Sequence, residues 1–348
     1  MFTIENRKIG TNCKPFIIAE MSGNHNQSLD RALEIVEQAA QAGADAIKLQ
    51  TYTADTMTLN VEGDDFRITE TGNPWTGRHL YELYDEAHTP WEWHQAIFDK
   101  ARELGVICFS SPFDASAVDF LESLNTPAYK IASFENTDVH LLRKVCETGK
   151  PIIVSTGMAS LADLQLITQT LRDNGCDDFV LLKCTSAYPA SPADANVKTI
   201  PHMADMFDCE VGLSDHTMGI GVPLAAITLG ATVVEKHFCL SRAEGGVDAD
   251  FSLEPHELKM LVEESERTWQ SLGKVKYNTS NSESKSKKFR RSIYFVKDMQ
   301  AGEVITEDHI QCIRPGFGLE PKYWDSIIGK TVKHDVHKGD RVRFDILN

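Results

Sequence analysis

No CxxC pair occurs among the eight cysteines, Cys13, Cys108, Cys146, Cys176, Cys184, Cys209, Cys239 and Cys312. Several lie inside apolar segments such as Val106 to Phe109. That usage speaks against a disulfide framework or a zinc ribbon and for buried free thiols in a reducing compartment. Basic residues are in the minority: 35 Lys and Arg face 51 Asp and Glu, a net charge of −16. Broad contact with a nucleic-acid backbone is thereby disfavoured, although a few converging lysines still suffice for a small anion. Long hydrophobic runs are missing too. The most apolar stretch, Gly221 to Val234, is interrupted by Pro223, Thr228 and Gly230 and is shorter than the roughly 20 residues a membrane span needs. MFTIENRKIG has no basic start followed by an apolar run, so no secretory leader is expected. The expectation is a cytoplasmic protein with neither a membrane nor a nucleic-acid partner.

The 348 residues are 42% hydrophobic and 25% charged, enough for a barrel of roughly 250 residues plus a smaller appendage. Short apolar runs alternate with longer amphipathic ones from residue 15 to about 272, the pattern of βα units around a parallel sheet. Strands are read at 16–19, 46–49, 106–109, 128–131, 152–154, 179–182, 210–213 and 232–234. Helices are read at 29–41, 91–104, 116–124, 139–148, 161–174 and 255–272, with Gly43, Gly105, Gly149 and Gly175 where helices end. Eight units close a (β/α)8 TIM barrel, whereas six leave an open doubly wound sheet. The barrel is the leading expectation.

Residues 51–90 form a connection far longer than usual for a βα loop and carry Trp75, Tyr81, Tyr84 and His88. A loop of that length covers a site or moves, which makes it a candidate lid. Residues 278–288 read NTSNSESKSKK, polar and without apolar periodicity, as an exposed linker does. The expected domains are therefore 1–277 for the barrel and 289–348 for a small, mostly β unit containing Val304–Ile305 and Val342–Phe344.

Reactive groups of a barrel sit where its strands finish. Just past the proposed strands come Glu20; Lys48 and Gln50; Ser110 and Ser111; Lys130 and Ser133; Ser155 and Thr156; Lys183, Thr185 and Ser186; Ser214, Asp215 and His216; and Glu235, Lys236 and His237. Wet strand ends explain any one of these, but the set as a whole favours convergence on a charged ligand, because unpaired buried charge is costly. Lys48 and Lys130 with the hydroxyls of Ser111, Ser133, Ser155 and Ser214 suit a phosphate and a carboxylate on one small molecule. Either lysine also suits a Schiff base. His216 and His237 end the last two strands side by side and can hold a divalent ion, although core or capping roles are the commoner fate of single histidines. Glu20 and Glu235 are acid–base candidates, with an ion pair as the plainer role of Glu235. His25 is equally a loop-fixing group.

IAEMSGNHNQ (18–27), IKLQTY (47–52), FSSPFD (109–114), YKIASFE (129–135), IVSTGMA (153–159), LKCTSAYPA (182–190), GLSDHT (212–217) and VVEKHF (233–238) resemble, in order, segments of the sialic acid synthase family. Within it, EMSGNHNQ, HTPWEWH (88–94), SSPFD and KIASFE are most similar to the pseudaminic acid synthase branch. The resemblance implies a TIM barrel followed by an antifreeze-like SAF domain, condensing phosphoenolpyruvate with an amino sugar aldehyde. It implies Lys48, Ser111, Lys130, Ser133, Ser155, Ser186 and Ser214 around phosphoenolpyruvate. Here Ser111 stands where a threonine is common, and Ser186 where neuraminate synthases often carry asparagine. It further implies His216 and His237 as ligands of a divalent metal, Mn2+ first with Mg2+ or Co2+ as alternatives. Gln50, Glu135, Tyr188 and Asp248, with Glu20, match positions facing the open-chain sugar, and Phe289 lies near an aromatic of that set. Arg314, in Arg314-Pro315-Gly316, matches an arginine reaching into a partner subunit, which implies a domain-swapped homodimer. Phe134 beside Glu135 suits a deoxygenated diacetamido sugar, or serves as ordinary packing.

Overall fold

The computed structural model describes residues 2–69 and 75–348; the part of the long second loop at 70–74 lies outside them. The chain divides into two compact units, Met1–Gly273 and Lys274–Asn348.

The first unit opens with an antiparallel hairpin, β1 (Phe2–Ile4) and β2 (Arg7–Ile9), which the sequence reading did not anticipate. Eight parallel strands follow: β3 (Phe16–Glu20), β4 (Ala46–Thr51), β5 (Ile107–Pro112), β6 (Tyr129–Ile131), β7 (Ile152–Ser155), β8 (Phe179–Cys184), β9 (Glu210–Asp215) and β10 (Val233–His237). They close in sequence order, β10 pairing with β3 so that His237 stands opposite Glu20. Around them run α1 (Leu29–Ala42), α2 (Ala54–Met57), α3 (Leu80–Ala87), α4 (Trp91–Leu104), α5 (Ala115–Ser123), α6 (Val139–Cys146), α7 (Leu161–Asp173), α8 (Thr199–Phe207), α9 (Gly221–Thr228) and α10 (Pro255–Leu272).

Helix α1 shows how local sequence sets these elements. The Ser28 hydroxyl accepts from the Arg31 amide, Ala32, Ile35, Val36, Ala39 and Ala42 bury one face, and Gly43 at φ 87° returns its N–H to the Ala39 and Ala40 carbonyls. No helix among the described residues is long and apolar enough to cross a membrane.

Because strand side chains alternate, the barrel carries two apolar layers. Phe16, Ile18, Ala46, Phe109, Ala128, Ile153, Val180, Leu182 and Val233 form the inner cluster, which the hairpin completes with Phe2, Ile4 and Ile9. Each fully buried side chain of this size contributes about 1.5–3 kcal/mol, so the hairpin acts as a plug at the N-terminal end. Ile17, Ala19, Ile47, Leu49, Ile131, Val154, Leu181, Leu213 and Val234 face outward into the layer shared with the helices. Gly212 belongs to the crowded interior: a Cβ there would lie 2.3 Å from the Val233 carbonyl oxygen and 2.7 Å from Leu182 Cδ2.

Continuing the inward parity beyond the apolar residues gives Glu20, Lys48, Ser111, Lys130, Ser155, Cys184, Ser214, Glu235 and His237, all within or directly after these strands. Several strands run further than the apolar pattern suggested, β10 ending at His237 rather than Val234. Backbone pairing persists where hydrophobicity stops, and it carries the polar groups.

In the second unit, β11 (Ser292–Phe295) pairs antiparallel with β12 (Ile310–Ile313). The remaining β structure consists of isolated bridges such as Met299 with Val336 and Val332 with Leu347, over a core that includes Ile293, Phe295, Ile305, Ile310, Val332, Val342 and Leu347. The expected linker is not wholly irregular. Ser280 caps a helical turn, α11 (Asn281–Ser284), through the Glu283 amide. A second turn, α12 (Trp324–Ile327), completes the elements.

Candidate functional site

At the C-terminal end of the barrel lies a cavity of about 470 Å3, within the usual range for a small-molecule site. Its lining includes Glu20, Lys48, Gln50, Lys130, Ser133, Glu135, Ser155, Tyr188, Ser214, His216, Glu235, His237 and Asp248. The structure therefore brings together most of the residues singled out from the sequence. Ser111 is fully buried beneath them and accepts from Lys48 Nζ at 3.1 Å. Ser186 lies against Gly157, where an added Cβ would sit 2.1 Å from Ser186 Oγ and 2.6 Å from Ser133 Oγ. Phe289 and Arg314 belong to the second unit.

Strand parity also separates the strand-end polar residues. Ser110 pairs with Thr51 Oγ1 at 2.6 Å, and Thr51 in turn bonds His94. Lys183 donates to the Cys184 carbonyl at 2.9 Å. Lys236, fully buried, pairs with Asp215 at 2.9 Å and donates to the Thr217 carbonyl. This pair ties β9 to β10 beside His216 and His237. His25 is a loop-fixing group: its Nδ1 accepts from the Gln27 amide at 3.2 Å, and Nε2–H donates to Thr89 Oγ1 at 3.2 Å. Burial, with His88 and His94 nearby, pushes its pKa down to about 4, which keeps it neutral.

The floor is a charge-balanced quartet. Lys48 Nζ stands 2.8 Å from Glu20 and 3.6 Å from Glu235, while Lys130 Nζ lies 3.3 Å from the same Glu235 oxygen. Burial works against the Glu235 charge, yet Lys130 and Lys48 hold its carboxyl down to about 2. Burial pushes Glu20 up, with Lys48 opposing. Burial also lowers the Lys130 ammonium, which Glu235 only partly offsets. Glu235 Oε2 and Ser155 Oγ have no hydrogen-bond partner although both atoms are buried. Groups of that kind cost free energy unless a ligand satisfies them.

On one wall the rings of His216 and His237 stand 5.3 Å apart. His216 Nδ1–H donates to the Thr185 carbonyl at 2.9 Å, which leaves Nε2, beside Cys184, as the acceptor of the neutral ring, the tautomer of a metal-binding imidazole. His237 Nδ1 has no hydrogen-bond partner and lies 3.5 Å from Asp248. This donor set fits a divalent ion. Another close set, Glu254, His256 and Glu257, lies at the start of α10. Its carboxylates are already engaged by the Arg242 and Glu254 amides and the Arg242 guanidinium.

Further lining residues escaped the sequence reading of the site, Cys184, Tyr52 and Phe113 among them. Cys184 continues the inner face of β8 and lines the cavity; burial pushes its thiol up, but His216, Ser133 and Lys130 together outweigh this and hold it down to about 7. Tyr52 and Phe113 meet edge to face at 5.0 Å. Phe251, behind the lining, packs 4.9 Å from His237 and 5.3 Å from Tyr188. The inward parity of β8 was the available signal for Cys184. Tyr52 and Phe113, directly after β4 and β5, continue the same parity, whereas Phe251, in the loop after β10, gave no signal.

Glu135 is half-buried, one of its oxygens lacks a hydrogen-bond partner, and burial holds its pKa up to about 7 against the pull of Lys130. The folded state thus keeps a proton that the unfolded chain releases near 4.5. Stability from this group is complete below pH 4.5 and is lost as the pH rises through about 7. Glu135→Gln removes that loss and gains about 1–2 kcal/mol above neutrality, after allowance for partial exposure. Thermal unfolding of both proteins from pH 4 to pH 9 tests this; parallel curves refute it.

Residues 35–277 match the model of the NeuB family, and residues 290–347 match that of the SAF domain. A pseudaminic acid synthase of Campylobacter jejuni is 44% identical over 333 residues, 96% of each chain. One of Helicobacter pylori is 44% identical over 91% of this chain and 93% of its own. The crystal structure of an N-acetylneuraminic acid synthetase from Leptospira borgpetersenii, in complex with citrate, superposes with a TM-score of 0.73 at 31% identity, covering 82% of this chain and 94% of that one. With a closed eight-stranded barrel, a C-terminal SAF domain and this agreement along its length, the chain belongs to the NeuB family.

Proposed function

We propose that this enzyme condenses phosphoenolpyruvate with open-chain 2,4-diacetamido-2,4,6-trideoxy-L-altrose and water, yielding pseudaminic acid and inorganic phosphate. The observation that carries the reading is the convergence of Lys48 and Lys130 on Glu235, beside the His216–His237 wall of one cavity. The 44% identity to pseudaminic acid synthases supports the choice of sugar over N-acetylmannosamine or a legionaminic precursor.

Lys48 and Lys130, with Ser111, Ser133, Ser155, Ser186 and Ser214, take the phosphate and carboxylate of phosphoenolpyruvate. Gln50, Glu135, Tyr188 and Asp248 face the sugar. Phe289 and Arg314 serve it from the second unit, Arg314 of one protomer acting in its partner's barrel in a domain-swapped homodimer. His216 and His237 would hold a divalent ion, Mn2+ before Mg2+ or Co2+, and its charge would polarise the aldehyde oxygen. The methylene carbon of phosphoenolpyruvate attacks the aldehyde carbon, a C–C bond forms as the C=O π bond opens, and the aldehyde oxygen takes a proton from Glu20. Positive charge develops at the former enol carbon, next to the Glu235 carboxylate that Lys130 and Lys48 favour in its ionised form. Water adds there and gives up a proton to Glu20, whose raised pKa suits proton exchange. The C–O bond to phosphate then breaks, the new hydroxyl's proton leaves with the phosphate, and a nine-carbon 2-keto acid remains. The reaction takes place in the cytoplasm.

Phosphoenolpyruvate labelled with 18O at its bridging oxygen tests the chemistry. The expected product is labelled inorganic phosphate; label kept in the keto acid would contradict C–O cleavage. The lowered Lys130 ammonium also suits a Schiff-base aldolase. That enzyme would be trapped by borohydride and indifferent to chelators, whereas this one is expected to behave in the opposite way on both counts.

A further inference from the structure

The cavity has two unlike sides. Its floor is polar and charged, whereas the connection between β4 and α4 turns Met57, Ile68, Leu80 and Leu83 into it. Phe113, from the loop after β5, and Phe134, 63% exposed, add to this apolar side. None of Met57, Ile68 and Leu80 is fully buried in the protein's own core. Their apolar surface is thus left to whatever occupies the cavity.

The segment is held in place over the barrel by polar ties. Trp75 Nε1–H donates to the Val247 carbonyl at 3.3 Å, and Gln27 donates to the Glu86 and His88 carbonyls, each at 2.8 Å. Tyr52 meets Tyr84 edge to face at 5.9 Å. Asp65 and Arg67, both exposed, are the charged residues that the described part of this segment adds to the lining. A sugar tail rich in hydroxyls would leave donors and acceptors unmet against Met57, Ile68 and Leu80. A tail ending in a methyl group, with acetamido methyls in place of hydroxyls, meets apolar surface at those positions.

We infer that Met57, Ile68 and Leu80 determine specificity: they seat the deoxygenated, methyl-bearing end of the acceptor and select it over a sugar with a hydroxylated tail. This rests on the proposed condensation and says which surface chooses the sugar. Met57 and Leu80 lie outside the lysine, glutamate and histidine floor, so their replacement is read in the choice of sugar.

The test compares kcat/KM for the trideoxy-altrose with that for N-acetylmannosamine in wild type, Met57→Gln, Leu80→Gln and the conservative Met57→Leu, all checked for unchanged thermal unfolding. The glutamine variants are expected to lower the preference for the trideoxy sugar about tenfold or more. KM for phosphoenolpyruvate should stay unchanged, and Met57→Leu should keep the wild-type ratio. A wild type that favours the trideoxy sugar, with glutamine variants that lose equally on both sugars or on neither, would overturn the inference while leaving the proposed function in place. A wild type that releases no phosphate with either sugar would overturn the proposed function and this inference together.

Discussion

Lys48→Met is expected to lower kcat/KM for phosphoenolpyruvate by at least about a thousandfold and to destabilise the fold by about 3–5 kcal/mol at neutral pH. Lys48 is buried between Glu20 and Glu235, 2.8 and 3.6 Å away, and also donates to Ser111. Methionine fills similar volume but leaves two buried carboxylates to the single ammonium of Lys130, which lies 3.3 Å from Glu235. Two losses follow: a cation for the substrate's anionic groups and the counter-charge of Glu20. The pH dependence separates the electrostatic cause from a packing defect. Glu235 is held down to about 2, so its contribution is present above the unfolded value near 4.5 and fades as the pH falls toward 2. Glu20, already raised, protonates readily in the variant. The stability gap to wild type should therefore be widest near pH 7 and shrink below about pH 4. A gap that stays constant with pH would assign the damage to packing alone.

His237→Ala is expected to abolish stoichiometric binding of a divalent ion and to lower turnover by at least about a thousandfold. With one imidazole of the pair gone, His216 alone remains on that wall, and loss of even an outer-sphere partner commonly costs 10–100-fold in affinity. The fold should survive, because β10 keeps its backbone pairing to β3 and β9. Metal content after dialysis, read together with thermal unfolding, checks both points. Full metal occupancy in a folded His237→Ala protein would place the ion elsewhere.

Much of this architecture could be read from the chain because barrel strands combine two readable properties. Their apolar cores are short and continuous, and their ends turn polar on the C-terminal side. Glu20, Lys48, Lys130, Ser155, Glu235 and His237 were all found that way. What the pattern could not supply is which of two neighbouring polar residues faces inward. Lys236 and His237 look equivalent in the sequence, yet one is sealed against Asp215 and the other lines the cavity. Parity counted from the inner apolar residues resolves them, and requires knowing where pairing ends.

Other features lacked a local signal altogether. The strands of the hairpin that plugs the barrel are only three residues long, too short to show alternation. Helix α9 is apolar enough around its circumference, with Pro223, Ala226 and Ile227 buried, that it shows no amphipathic stripe. The long second loop stood out by length and aromatics, but the inward apolar side made by Met57, Ile68 and Leu80 exists only once the loop is folded over the barrel. In the second unit, the expected β character resides mostly in isolated bridges, where short segments pair for a residue at a time between glycine turns such as Gly302, Gly329 and Gly339.

Phosphate release from phosphoenolpyruvate by metal-loaded protein tests the central claim most directly, with the trideoxy-altrose and N-acetylmannosamine assayed in parallel and a chelated control for each. Release that depends on the trideoxy sugar and disappears with the chelator is expected. Release confined to N-acetylmannosamine, or release indifferent to chelation, would contradict that claim.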